Sequence, residues 1–363
     1  MDSKSKDILN KFKPGNILIA IAIGLLASGF IFFQSFDAEK FSQIESANLW
    51  WILAILLLIV IRQLAYMYRI RYVTLKQLSW SQSFDIILLW EFASALSPTM
   101  VGGSAVSIFF LNKEKISIGK STAYILITTI LDGIFFTAIA PIVFLLIKFD
   151  VLFPQVNETL AFFKNVPFQM PLIYFFFVAY FAYLIYCILF SYALFIRPYS
   201  IAWLFNKVFS ISFLSKWKLR ALEECNNLAI AAEEIRGKDR TYWFHLIAST
   251  LIVWVARFLV INALIAAFMP VSEHLLIFGR QVIMWTILIF TPTPGGSVVA
   301  EFVFPVFLGK FVTNEALWGP LTFFWRFLTY YPYLILGAFI LPRWIKRVFK
   351  KEPEANEVSE KQT

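Results

Sequence analysis

Six ionisable side chains lie deep inside apolar segments: three arginines, Arg62, Arg257 and Arg326, and three acids, Glu91, Asp132 and Glu301. A charge placed in hydrocarbon costs from about 2.5 to more than 10 kcal/mol depending on how it is measured, so it persists where it pairs, meets water or performs work. Two helix-breaking runs accompany these charges. Thr291-Pro292-Thr293-Pro294-Gly295-Gly296-Ser297 and Ser97-Pro98-Thr99-Met100-Val101-Gly102-Gly103-Ser104 each interrupt an apolar segment. Their prolines remove backbone donors and their glycines raise the entropy cost of helix. Backbone groups freed within a bilayer must be buried in protein or line a wet cavity. The combination predicts a polar pathway built from Arg62, Glu91, Pro98, Gly102, Gly103, Ser104, Asp132, Arg257, Pro292, Pro294, Gly295, Gly296, Ser297, Glu301 and Arg326. Two blander roles compete with it: kinks that only shape packing, and internal salt bridges that only fix it.

No other chemistry stands out. His245 and His274 lie near expected interfaces without neighbours at metal-ligand spacing, so no metal site is expected. Cys187 sits in an apolar run and Cys225 in a polar loop, which gives neither a redox motif nor a disulfide framework. Neither a nucleophile beside a base nor a glycine loop beside a lysine is visible, and no catalytic residue or cofactor is expected. Arg280 lies nearer a segment end, from which its stem could carry the charge to water.

The elements that position these residues follow from composition. Of 363 residues, 60% are hydrophobic, 18% aromatic and only 15% charged, which specifies an all-α integral membrane protein. The net charge of +9 occurs in short runs between apolar segments, so it reads as topology and not as a nucleic-acid surface. Segments 16–34, 49–68, 121–147, 170–195, 242–268 and 316–341 are each long enough to cross a core of about 30 Å. The first reads as an uncleaved span, since it is long for a signal-peptide core. Segments 84–111 and 275–308 contain the two breaks, and their arms are too short to cross. They are expected to be re-entrant hairpins.

With two hairpins and six spans, both termini are cytoplasmic, and the inside segments hold 24 Lys and Arg against four outside. The chain then divides into a cytoplasmic N-terminus (1–15), a first repeat (16–169), a second repeat (170–341) and a cytoplasmic tail (342–363) whose end is expected to be disordered. Residues 215–238 read as an amphipathic helix at the interface or as a solvated connector. The halves are inverted repeats: Gly102 and Gly295 are 193 positions apart, and Arg62 and Arg257 195. Asp132 and Arg326 occupy equivalent places in the two halves and are predicted to pair. Inverted halves with broken helices near the midplane are a transporter design. The start of the half-helix after Gly296 would present its positive end to an anionic head group.

The two breaks, the arginine before each, Asp132, and above all Pro292-Thr293-Pro294-Gly295-Gly296 followed by Glu301 resemble the lysylphosphatidylglycerol synthase transmembrane-region family, over roughly residues 17–341. The flippase part of the multiple peptide resistance factor is its best-known representative. The resemblance implies lipid translocation, or a less defined role in envelope lipid or glycan handling, in a bacterial cytoplasmic membrane. Members usually carry an acid directly after the first Gly-Gly and an arginine three residues on, where this chain has Ser104 and Ser107; an arginine usual three residues before the span aspartate is here Thr129. Only a short tail follows Leu341, without an aminoacyl-transfer domain, so lipid aminoacylation is not expected. The reading is a flippase for a phospholipid or lipid-linked head group. Its partners are membrane lipids and no nucleic acid, with a homo-oligomer or a partner enzyme as the compatible protein partners. The alternative is a membrane-embedded enzyme, or an accessory subunit in envelope lipid or glycan synthesis, with Asp132 and Glu301 as acid and base.

The cation asymmetry generates a labelling test. In a chain lacking Cys187 and Cys225, a cysteine at Asn314 should react with an impermeant maleimide from outside the cell, and one at Lys115 only after permeabilisation. Reaction of position 115 from outside would exclude the two-hairpin topology.

Overall fold

The computed structural model describes residues 47–97, 102–154, 172–196, 218–291 and 293–349, with single positions 26 and 29; at 102, 218–225 and 294 it describes backbone alone. The expected span 16–34, Pro98, Pro292 and the chain from 350 lie outside these residues. Every element among them is helical. The helices are α1 (Leu49–Val73), α2 (Trp80–Leu96), α3 (Gly102–Lys113), α4 (Ile118–Leu146), α5 (Leu172–Ser191), α6 (Lys218–Arg236), α7 (Arg240–Phe268), α8 (His274–Leu288), α9 (Val299–Leu308), α10 (Trp318–Thr329) and α11 (Tyr331–Phe349). Among the described residues, five stretches are long and apolar enough to cross a membrane: Leu49–Val73, Ile118–Leu146, Leu172–Ile196, Arg240–Phe268 and the compound Glu315–Phe349. The protein is a multi-pass helical membrane protein.

Local chemistry sets the ends. Asn48 caps α1 by accepting the Trp50 N–H at 3.0 Å. Its own N–H donates to the Ala267 carbonyl at 2.7 Å, which fixes the start of α1 to the end of α7. Beyond Val73 the chain turns through Leu75 and Lys76, both at positive φ, and α2 opens with a reciprocal Ser79/Gln82 capping box. Asp239 caps α7 and Ser117 caps α4. Around this frame α1 and α7 form the most extensively packed helix pair, while α2 packs on α3 and α11. Phe135 and Phe136 of α4 meet Trp254 of α7, the latter edge-to-face at 4.6 Å. Leu53, Leu56, Leu57 and Val60 of α1, and Tyr174, Val178, Phe181 and Ile185 of α5, turn apolar faces outward, as lipid-facing surfaces must.

The arms around the two breaks are short, as expected: α2 and α3 have 17 and 12 residues, α8 and α9 15 and 10. The members of each pair pack on one another.

Three features depart from the expectation. Segment 316–341 is not one helix: Tyr330, at φ −127° and ψ −59°, separates α10 from α11. Helix α11 then runs to Phe349, so residues 342–349 continue the span instead of starting the tail. Within 215–238, α6 directs buried Leu228, Ala231, Ala232 and Ile235 inward and packs on α4. Its apolar face is taken up by protein.

Gly337 marks the tightest point between α2 and α11, because a Cβ there would overlap the ring and Cβ of buried Phe92. Gly337→Val should cost about 1–3 kcal/mol through overpacking and lower the unfolding temperature in detergent, with partial recovery on adding Phe92→Ala. An unchanged unfolding temperature for Gly337→Val would show that the contact is not there.

Candidate functional site

Three carboxylates organise the interior, each from a different helix. Glu91 of α2 takes two cations on one oxygen: Arg62 Nη2 of α1 at 2.7 Å and Arg257 Nη2 of α7 at 2.9 Å from Oε1. Arginines from α1 and α7 thus share a single acid. Arg62 also donates to the Tyr333 hydroxyl at 3.0 Å, and the Arg257 guanidinium lies 4.9 and 5.0 Å from the ring centres of Trp254 and Trp285. Such stacking suits guanidinium, which is weakly hydrated and attracted to aromatic faces.

Asp132 of α4 is held by Arg69 of α1, Nη1 at 2.5 Å from Oδ1 and Nη2 at 3.3 Å from Oδ2. The Trp254 indole N–H donates to the same Oδ1 at 2.8 Å. Arg69 is 1% exposed and belongs to α1, four residues from its end.

Glu301, fully buried in the first turn of α9, accepts from Arg326 Nε of α10 at 2.8 Å. Arg326 also reaches the second break: Nη2 lies 3.0 Å from Ser297 Oγ, and Nη1 and Nη2 lie 3.4 and 3.3 Å from the Gly295 carbonyl. Gly295 and Gly296 stand at φ +56° and +69°, where glycine carries no Cβ penalty. Val298 does carry one, at φ 73°, in the residue just before α9. The Tyr330 ring fills the space that a Gly295 Cβ would need, and its hydroxyl donates to the Ala95 carbonyl of α2 at 3.2 Å. One tyrosine therefore joins the second break to the helix that leads into the first.

The predicted Asp132–Arg326 pair is absent. Each has a nearer partner, Arg69 for the aspartate and Glu301 for the arginine. Both nevertheless line one cavity of about 160 Å³, together with Glu91, Ser104, Arg257 and Gly295. Six of the sequence-predicted residues converge there. Arg62, Ser297 and Glu301 stand behind it as partners of lining residues, while Gly103 is buried against Ser94 at the contact of α2 and α3. Gly296 is not among the lining residues, Pro98 and Pro292 lie outside the described set, and of Gly102 and Pro294 only the backbone is described. Among the described residues of the second break Gly295 lines the cavity, and the positive end of α9 already carries Glu301.

Sequence reasoning missed Arg69 and the aromatic wall of Tyr66, Trp254, Trp285 and Tyr330. Arg69 had a signal: it follows Arg62 by seven residues, two turns along one helix face. Trp254 precedes Arg257 by three, again one face. Arg280 is also corrected: it is 4% exposed and spends its donors on the carbonyls of Val151 and Phe307 at 2.9 Å, so it ties helices instead of reaching water. His245 meets the Tyr68 hydroxyl at 3.0 Å and His274 the Asn262 amide at 3.3 Å. No cluster of three metal-ligating side chains occurs among the described residues.

Residues 17–337 match the family described as Lysylphosphatidylglycerol synthase TM region, and the chain belongs to that family. It is 21% identical over 326 residues to a UPF0104 membrane protein of Archaeoglobus fulgidus, covering 88% of this chain and 94% of that one. That relative is archaeal, so the similarity does not single out a bacterial membrane. No solved structure matches the chain.

The Arg69–Asp132 pair can be tested by exchange. Arg69→Gln or Asp132→Asn should each cost about 3–5 kcal/mol by leaving a buried charge unpaired, read as a lower unfolding temperature in detergent. Arg69→Asp combined with Asp132→Arg should recover part of the loss, whereas Asp132→Arg combined with Arg326→Asp should not. Recovery by the second exchange alone would reinstate the pairing of Asp132 with Arg326.

Proposed function

We propose that this member of the lysylphosphatidylglycerol synthase transmembrane-region family translocates a phospholipid or a lipid-linked polar group between the leaflets of the cytoplasmic membrane. Its head group passes through the cavity while its tails stay in lipid. The observation that carries this reading is the cavity itself. Charged side chains from α1, α2, α4, α7 and α10 meet the backbone of Gly295 there, inside a body whose outer faces are apolar. Polar groups at membrane depth mark substrate pathways by default, and irregular backbone is tolerated where it lines such a space.

In this reading the arms α2/α3 and α8/α9 are re-entrant hairpins within an inverted repeat of six spans, with both termini cytoplasmic. Rocking of one half against the other would expose the cavity alternately to the two leaflets. The structural support is that Arg62 and Arg257, equivalent in the two halves, converge on one carboxylate, and that Ser104 and Gly295, from the two breaks, line the same space. The enzyme alternative keeps one of its two acids at the cavity, Asp132, which is bound there by Arg69 and Trp254. Glu301, its proposed acid or base, is fully buried against Arg326 and does not line the cavity.

The test is reconstitution with head-group-labelled lipids and a membrane-impermeant quencher. The wild-type protein should move label between leaflets without altering it covalently. Ser104→Phe, which pushes a ring toward the cavity from a partly exposed lining position, should slow movement on the order of tenfold or more while its unfolding temperature stays near wild type. Wild-type movement by a stably folded Ser104→Phe protein, or a new covalent product, would overturn the proposal.

A further inference from the structure

We propose that the cavity is a binding site for a phosphate-class anion, either the phosphate of an acidic lipid or free phosphate, and that it disfavours cationic head groups; this rests on the translocase reading only for its biological use. The reason is a charge imbalance. The cavity and the ion pairs behind it contain four arginines, Arg62, Arg69, Arg257 and Arg326, against three acids, Glu91, Asp132 and Glu301. No other acid is among the lining residues or their ion-pair partners, and Asp85 of α2 pairs away from the cavity with Arg347. Arginine does not deprotonate in proteins, and protonating an acid would only add to the excess, so the site carries at least one surplus positive charge at any working pH. An uncompensated buried charge is costly. An anion would remove that cost.

The surplus has a place. Arg62 and Arg257 share one oxygen of Glu91, and of the two only Arg257 faces the cavity. Its Nε has no hydrogen-bond partner among the described residues, and neither does the indole N–H of Trp285, a side chain 7% exposed that also lines the cavity. These unpartnered donors stand beside a guanidinium clamped between two indoles. Phosphate oxygens accept several charge-assisted hydrogen bonds at once, and a singly charged phosphodiester would bring the site to neutrality. An ester carrying extra ammonium groups would raise the surplus.

The full chain in phosphatidylcholine nanodiscs provides the test, read as thermal unfolding. Phosphatidylglycerol in the discs should raise the unfolding temperature, and its cationic lysyl ester should not. A rise from inorganic phosphate alone would identify free phosphate as the ligand source. Arg257→Gln removes the surplus charge, so in phosphatidylcholine alone it should unfold at or above the wild-type temperature. It should also weaken the apparent affinity for the anion by about tenfold or more, the loss of one charge-assisted bond. Lys310→Gln, an equal charge change at an exposed position, should leave the anion-dependent rise intact. If Arg257→Gln is destabilised in phosphatidylcholine and retains the full rise, or if the lysyl ester stabilises as well as phosphatidylglycerol does, the proposal fails. Lipid movement is not read here: an anion-dependent rise in a protein that moves no lipid keeps the site and drops the translocase, and movement without the rise does the reverse.

Discussion

The carboxylate of Glu91 holds the centre of this protein together. It lies between α1 and α7, the most extensively packed helices, and takes an arginine from each on one oxygen. Neither guanidinium can be neutralised by losing a proton, and burial keeps most of each from water. Removing the acid would leave two guanidinium charges buried without a partner, which costs far more than the net worth of the pairs. Asp132 does the same for Arg69 between α4 and α1, and Glu301 for Arg326 between α9 and α10. The three acids fix how the helices that carry them are oriented, and the aromatic faces of Tyr66, Trp254, Trp285 and Tyr330 fill the space between the cations.

The second break survives at depth because its backbone groups are answered. Arg326 donates to the Gly295 carbonyl and to Ser297, and the Gly296 N–H donates to the Thr293 carbonyl at 2.9 Å. Two glycines at positive φ allow the turn, and a third strained residue, Val298, completes it. Tyr330 then ties this turn to Ala95 in α2. The tyrosine's position follows from the interruption between α10 and α11, an irregularity that follows no glycine and that the hydropathy of residues 316–341 does not reveal.

What could be read in the sequence was whatever punctuates it. Prolines, paired glycines and charges in apolar runs announced the two breaks and most of the acids and arginines around the cavity. Partner choice was not readable, because three acids and several arginines can be matched in many ways and only the folded distances select one. Asp132 and Arg326 share a cavity without pairing, so the similar distances of each from a Gly-Gly pair in the sequence pointed to one site but to the wrong partner. Arg69 was hidden by its neighbours: it falls two residues before Arg71, near a helix end, where a loop is the natural reading. The helical repeat places it on the face of Arg62, and a count of seven would have found it.

A second cluster lies where α2, α3 and α11 meet, away from the cavity. Arg347 near the end of α11 pairs with Asp85 of α2 at 3.0 Å and with Glu114, the residue just beyond α3; Glu114 also accepts from Trp344 at 2.8 Å and from Gln82 at 2.7 Å. Here the Arg347 side chain is 35% exposed, unlike the 2–3% of Arg62, Arg69 and Arg326. Pairs with that access to water contribute on the order of 0–1 kcal/mol, against several for separating a buried pair. The ion pairs therefore oppose motion of α11 relative to α2 and α3 weakly, whereas they oppose strongly the separation of α2 from α1 and α7 at Glu91 and of α9 from α10 at Glu301. Any rearrangement that opens the cavity must keep those buried charges paired, so the helices joined by each acid have to move together. The boundaries that can slide are the ones where no acid bridges the two sides.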